Sequence, residues 1–238
     1  MMPLHIAADP YAWPHDGQLE PATTALLIID MQNDFCHPDG YVASMGYDID
    51  GARRIIPVIA QLRAAIRAWG GHVLHTREGH RPDLADLTSL KLWRSRNTGI
   101  GIGGQGPLGR LLVRGEKGWE IVPELRPLAD EPVVDKAGYS AFHNTDLQLL
   151  LTRTGVRRLI LTGVTTDICV HSTLRDAVER GYECLVVADA CAATVRENHV
   201  AALNTIATEG GIFGATANAG AVIAAISRED AVPNARFG

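Results

Sequence analysis

Three apolar runs of this chain end in an acid, a cation and a thiol, the set of groups that nucleophilic acyl chemistry requires. Leu159-Ile160-Leu161 leads through Thr162-Gly163-Val164-Thr165-Thr166 to Cys169, and Val170, Leu174, Ala177 and Val178 then recur at helical spacing before Gly181. This pattern predicts a strand, a glycine turn and a helix with the thiol in its first turn. Free backbone N–H groups and the helix dipole there lower a thiol pKa from about 8.5 toward neutrality. Leu26-Leu27-Ile28-Ile29 runs into Asp30, and Pro132-Val133-Val134-Asp135 runs into Lys136. In an open parallel sheet ligands bind beyond the carboxyl ends of the strands, so the three groups are expected at one edge. Cys169 would be the nucleophile, Asp30 its proton acceptor and Lys136 the counter-charge. Each has a plainer reading: a small buried cysteine, a turn cap and a solvated loop lysine. Their joint placement at strand ends favours chemistry.

Six short apolar runs carry these groups, at residues 25–29, 72–75, 132–134, 159–161, 184–188 and 212–213. Helical patterns lie between most of them, at 52–69, 145–154, 169–180, 197–208 and 219–226. Runs apolar on both faces that alternate with helices predict one α/β domain: three α/β/α layers around a six-stranded, mostly parallel, doubly wound sheet. Residues 1–21 read as an extended N-terminal arm and 228–238 as a tail. Residues 77–118 lack clear periodicity and are too long for an ordinary connection, which predicts a lid over the site, with Gly99, Gly101, Gly103 and Gly104 as its mobile points. That glycine stretch neither follows a strand nor opens a helix, so it implies no nucleotide.

With 238 residues and 46% hydrophobic content, the chain can bury a full core. A net charge of -5 leaves no electrostatic footprint for nucleic acid or an anionic membrane, and small-molecule chemistry is the better expectation. No run approaches the roughly 20 apolar residues of a membrane span, and no secretion signal precedes the domain, so a cytoplasmic location is expected. Cys36, Cys169, Cys184 and Cys191 then read as reduced thiols, and no CxxC pair points to zinc.

Asp30-Met31-Gln32-Asn33-Asp34-Phe35, Lys136-x-x-Tyr139-Ser140-Ala141-Phe142 and Gly163-Val164-Thr165-Thr166-Asp167-Ile168-Cys169-Val170 resemble the three signature segments of the isochorismatase-like cysteine hydrolases. The resemblance covers residues 24–226. It implies an Asp30–Lys136–Cys169 triad, a non-proline cis peptide between Val164 and Thr165, an oxyanion hole from the backbone N–H groups of Thr165 and Cys169, and a homotetramer. Zinc-binding members carry an Asp-x-His motif after the second strand; here His75-Thr76-Arg77-Glu78-Gly79-His80 stands instead, so neither metal nor cofactor is expected, and His75 and His80 read as satisfied polar groups or lid contacts. A non-catalytic binding subunit of the same fold is the competing class, against which the intact triad argues.

Within the family, Ala8-Asp9-Pro10-Tyr11, Trp13-Pro14, the segment 76–84, Trp93-Arg94-Ser95-Arg96 and Gly118-Trp119-Glu120-Ile121 resemble the biuret hydrolase branch, whereas the segment 139–145 is nearer to ureidoacrylate amidohydrolases. Phe35, Tyr41, Tyr139, Thr166 and Glu209 are the implied substrate contacts. Glu209 stands where biuret hydrolases carry glutamine, and a carboxylate accepts from two N–H donors where an amide accepts from one side only. The expected substrate is a linear ureido compound, triuret ahead of biuret or ureidoacrylate. Leu90 and Leu92 are further candidates for setting specificity.

Overall fold

Alternate residues of β1 (Thr24–Ile29) are buried in two different cores: Leu26 and Ile28 on one face, Ala25, Leu27 and Ile29 on the other. A strand presents successive side chains to opposite faces, so a run apolar throughout is stable only between two layers. Each fully buried aliphatic side chain contributes about 1.5–3 kcal/mol. In the computed structural model, which describes residues 4–229, β1 is followed by the short helices α1 (Asn33–Cys36) and α2 (Tyr41–Ser44), then α3 (Asp50–Trp69), β2 (His72–Glu78), α4 (Ser89–Arg96) and the two-residue strands β3 (Gln105–Gly106) and β4 (Gly109–Arg110). The chain continues as β5 (Val133–Lys136), α5 (Leu147–Thr154), β6 (Arg158–Val164), α6 (His171–Glu179), β7 (Glu183–Ala192), α7 (Arg196–Gly211), β8 (Ala215–Ala217) and α8 (Ala219–Glu229).

The main sheet has six strands in the order β5-β2-β1-β6-β7-β8, and every pairing in it is parallel. Ile55, Ile56, Ile59, Leu62 and Ile66 of α3 pack with Val222 and Ile226 of α8 on one face. Leu147 and Leu151 of α5, Leu174 and Ala177 of α6 and Ile206 of α7 cover the other. The chain is thus a single three-layer α/β domain, and the carboxyl ends of β1, β2, β5 and β6 adjoin one another along one edge.

Three details differ from the sequence reading. The last strand is Ala215–Ala217, not 212–213; Ile212 is exposed, and a strand of Ala-Thr-Ala carries too little apolar signal to be seen. β2 runs on to Glu78, beyond the apolar run that ended at His75. The segment 77–118 is a packed strap: it contains α4 and the β3–β4 hairpin, and buries Ile102, Leu108, Leu111, Leu112 and Val113. Asp34 clamps it, its carboxylate accepting from Leu112 N (2.9 Å) and Tyr41 N (3.2 Å). The N-terminal arm buries Ile6 and Trp13, and Asp9 pairs with Thr216, which covers the β8 edge. Of the tail placed at 228–238, positions 228 and 229 still belong to α8; the remainder lies outside the described residues. No helix among the described residues is long and apolar enough to cross a membrane.

Candidate active site

Asp30 follows the last residue of β1 with φ of 53°, a left-handed conformation that bends the chain and turns the carboxyl into the sheet edge. Lys136 is the last residue of β5. β6 closes on β1 through the Ile29–Gly163 register, where a Cβ on Gly163 would strike the Ile29 carbonyl oxygen. After the cis peptide between Val164 and Thr165, a single π-helical turn (Thr166–Val170) delivers Cys169 ahead of α6. Lys136 Nζ lies 2.7 Å from Asp30 Oδ2 and 3.5 Å from Cys169 Sγ, and it donates to Gly138 O at 3.0 Å. Thr76 Oγ1 donates to Asp30 Oδ1 at 2.5 Å and accepts from Asp30 N at 3.2 Å, which fixes the carboxylate plane. The three groups predicted to meet are therefore together, and all are buried.

A fourth group joins them. The Cys169 thiol donates to Glu78 Oε2 at 3.2 Å, and the same oxygen lies 3.4 Å from Lys136 Nζ. Lys91 of α4 grips the other oxygen, Nζ to Oε1 at 2.7 Å, and also donates to Ala137 O at 2.7 Å. Gln32 holds the Glu78 backbone from both sides, accepting from Glu78 N (2.7 Å) and donating to Glu78 O (2.9 Å). Glu78 lies three residues beyond the apolar run that ends at His75, and the polar Thr76, Arg77 and Glu78 carry no apolar signal that the strand continues. The strand-end rule that picked out Asp30 and Lys136 would have picked it out from the true end of the strand.

Burial pushes the Cys169 thiol well above its usual range, with Lys136 opposing and the two carboxylates reinforcing the rise. This corrects the expected depression at a helix start: full burial beside two carboxylates outweighs a dipole worth about 0.3–1 kcal/mol. At rest the sulfur is a thiol. Burial likewise raises Asp30, partly offset by Lys136. Burial also works against charge on Glu78, yet the ammonium groups of Lys136 and Lys91 outweigh it and hold Glu78 down at about 2. Burial opposes the charge on Lys136 too, but the carboxylates of Asp30 and Glu78 keep it an ammonium. Ligand atoms of Asp30, Glu78 and Cys169 lie within 4.8 Å of one another, and the Lys136 ammonium occupies the place a metal cation would take among them.

Cys169 opens into a cavity of about 300 Å³. Phe35, Tyr41 and Tyr139 line it as expected, as does Thr165. Thr166 does not; its hydroxyl is turned to His199 Nδ1 at 2.8 Å. Glu209 does not either: it is exposed at the end of α7, a helix that starts beyond the carboxyl end of β7 and runs back toward the start of β8. Its own chain's cavity takes no contact from it. Neither Leu90 nor Leu92 lines the cavity; the inner face of α4 is instead Lys91, Arg94 and Ser95, at helical spacing, with Thr98 lining the cavity from the turn just beyond the helix. His75 pairs with Glu131 (3.0 Å) in the core and His80 with Asp86 (3.2 Å).

A doubly wound sheet with a buried thiol, ammonium and carboxylate pair at its carboxyl edge defines a cysteine hydrolase of the three-layer α/β class. The Isochorismatase domain model matches residues 24–218. The chain therefore belongs to the isochorismatase family, and it is an amidohydrolase of that family. The ureidoacrylate amidohydrolase of Methylobacterium radiotolerans is 36% identical to it over 209 residues, 83% of this chain and 78% of that one. Among solved structures, a cysteine hydrolase from Pseudomonas syringae pv. phaseolicola superposes with a TM-score of 0.76 at 28% identity, covering 96% of this chain and 99% of the other. N-carbamoylsarcosine amidase from Thermoplasma acidophilum superposes with a TM-score of 0.63 at 26% identity, covering 83% and 96%.

Proposed function

We propose that the protein hydrolyses the terminal amide of a linear ureido carboxylic acid of the ureidoacrylate type. Arg94 carries this reading: it lines the cavity with Cys169 and has no ion-pair partner among the described residues. A guanidinium fork left free in a substrate cavity suits a carboxylate, and such a charge-assisted contact contributes about 1.5–3 kcal/mol. The names of two relatives, ureidoacrylate amidohydrolase and N-carbamoylsarcosine amidase, both describe carbamoyl-bearing carboxylic acids.

Cys169 Sγ attacks the terminal ureido carbonyl while its proton passes into the Glu78–Asp30 carboxylate pair, where Asp30, with its raised affinity, retains it. The backbone N–H groups of Thr165 and Cys169 meet the developing oxyanion, at roughly 3 kcal/mol per well-placed donor. Asp30 returns the proton to the departing ammonia. Water then attacks the thiocarbamate carbonyl, gives one proton back to the sulfur through the same carboxylates, and releases an N-carboxylated product that loses carbon dioxide.

Triuret is the second reading. The phenols of Tyr41, Tyr47 and Tyr139 line the same cavity and suit the carbonyl and N–H groups of a longer neutral chain. On that substrate the same steps leave biuret. Ammonia release from ureidoacrylate, triuret, biuret and nicotinamide separates the readings. Arg94→Met is expected to lower kcat/KM for ureidoacrylate about tenfold to a hundredfold and to spare triuret. Faster turnover of triuret than of ureidoacrylate, unchanged by Arg94→Met, would select the second. A cytoplasmic homotetramer completes the proposal: four buried free cysteines suit a reducing compartment. Light scattering of the purified protein checks the assembly.

A further inference from the structure

Within the strap, α4 is held differently from the rest. Leu108, Leu111, Leu112 and Val113 anchor the hairpin end in the core, whereas Ser95 is the only buried residue of α4, and Leu90 and Trp93 stand 58% and 62% exposed. Ser95 bonds inside the strap, its hydroxyl donating to Leu92 O at 2.8 Å and accepting from Ile102 N at 3.1 Å. Among the described residues, Lys91 alone carries a side chain of α4 into hydrogen bonds with the sheet: Nζ donates to Glu78 Oε1 at the end of β2 and to Ala137 O just past β5, both at 2.7 Å. The same ammonium lies 4.9 Å from the centre of the Tyr139 ring. A helix held by charge-assisted bonds rather than by a buried apolar face docks or lifts with those bonds.

What Lys91 grips is a proton acceptor, since the other oxygen of the same carboxylate takes the Cys169 S–H at 3.2 Å. A carboxylate turns about a soft terminal torsion, so one oxygen is aimed only if the other is held. Gln32 fixes the Glu78 backbone and leaves that torsion free. Lys136 Nζ lies 3.4 Å from Oε2 and has a nearer anion in Asp30, at 2.7 Å. The contact that sets the Glu78 carboxylate is therefore the one from α4. We propose that Lys91 is a positioning residue that acts through Glu78: its bond to Oε1 aims Oε2 at the Cys169 thiol, and it does so only while α4 is docked over the cavity. Closure of the cavity and assembly of the proton acceptor are then one event. Arg94 lies one turn further along the same inward face, so a carboxylate bound there holds α4 down and completes the acceptor. That coupling rests on the carboxylate reading above; the latch itself does not.

A double-mutant cycle in kcat tests this, run on whichever of ureidoacrylate, triuret, biuret and nicotinamide the protein turns over. Lys91→Met keeps the aliphatic stem and removes the charge. It should lower kcat about tenfold to a hundredfold in the wild type and by less than about threefold in Glu78→Gln, because the group it acts through is already gone. A role confined to packing α4 would cost the same in both. Hydrogen exchange on the substrate-free chain should quicken by about tenfold or more through α4 in Lys91→Met and stay unchanged in β1 and β6. In Cys169→Ser, which binds without turning over, ureidoacrylate should slow exchange in α4 and triuret should not. The reverse would overturn the carboxylate reading and support the latch. Equal losses of kcat in both backgrounds, or unaltered exchange of α4 in Lys91→Met, would overturn the latch itself.

Discussion

Replacing Glu78 by glutamine should move two properties of Cys169 in opposite directions. The carboxylate raises the thiol pKa by its charge and by accepting the S–H at 3.2 Å. At that separation an effective dielectric of about 20 sets a ceiling near 5 kcal/mol on the charge effect. Lys91 and Lys136 already neutralise much of it, their nitrogens lying 2.7 and 3.4 Å from the carboxylate oxygens. A net 1.5–3 kcal/mol, the usual worth of a hydrogen bond to a charged group, is the appropriate scale. Glu78→Gln should therefore ionise the thiol more readily and speed its alkylation by iodoacetamide about tenfold to a hundredfold at pH 7. Turnover should fall by 10² or more, because the hydrogen-bonded acceptor of the thiol proton is gone. Stopped alkylation assays and ammonia release on the same preparation read both. An unchanged alkylation rate would refute the charge argument. Undiminished turnover would show that Asp30 takes the proton without Glu78.

Cys169→Ser should abolish nearly all ammonia release, since a buried hydroxyl is far harder to ionise than a thiol, while Ser or Ala at Cys36, Cys184 or Cys191 should leave it largely intact. Asp30→Asn keeps the shape but removes the proton store, and single-turnover measurements should show a loss of at least 10². Asp34, which clamps the strap, is raised by burial to about 6. A carboxyl raised on folding contributes stability that is fully present below the unfolded value of about 3.9 and is lost as pH rises through 6, roughly 3 kcal/mol in all. Urea midpoints should fall between pH 4 and 7 in the wild type, and Asp34→Asn should flatten that dependence while weakening the protein at pH 4.5. An unaltered slope in the variant would assign the pH dependence to other groups.

The linear sequence determined the layered fold and three of the four charged or nucleophilic groups at the sheet edge. Strands buried on both faces must be apolar throughout, so Leu26 to Ile29 and Leu159 to Leu161 announce themselves, and whatever ends such a run lies at the ligand-binding edge. β8 escaped notice because Ala-Thr-Ala buries too little to leave a pattern, and the end of β2 because Thr76, Arg77 and Glu78 are polar residues held in a strand by pairing with β5. That pairing is a tertiary fact, and it decided that Glu78 reaches the sulfur. Tertiary structure also chose which face of α4 looks inward, turning Lys91 and Arg94 to the cavity rather than Leu90 and Leu92, and it set Glu209 at the far end of α7. It reversed the expected thiol pKa as well, since burial and the charges around a group belong to the folded assembly and to no local stretch of chain.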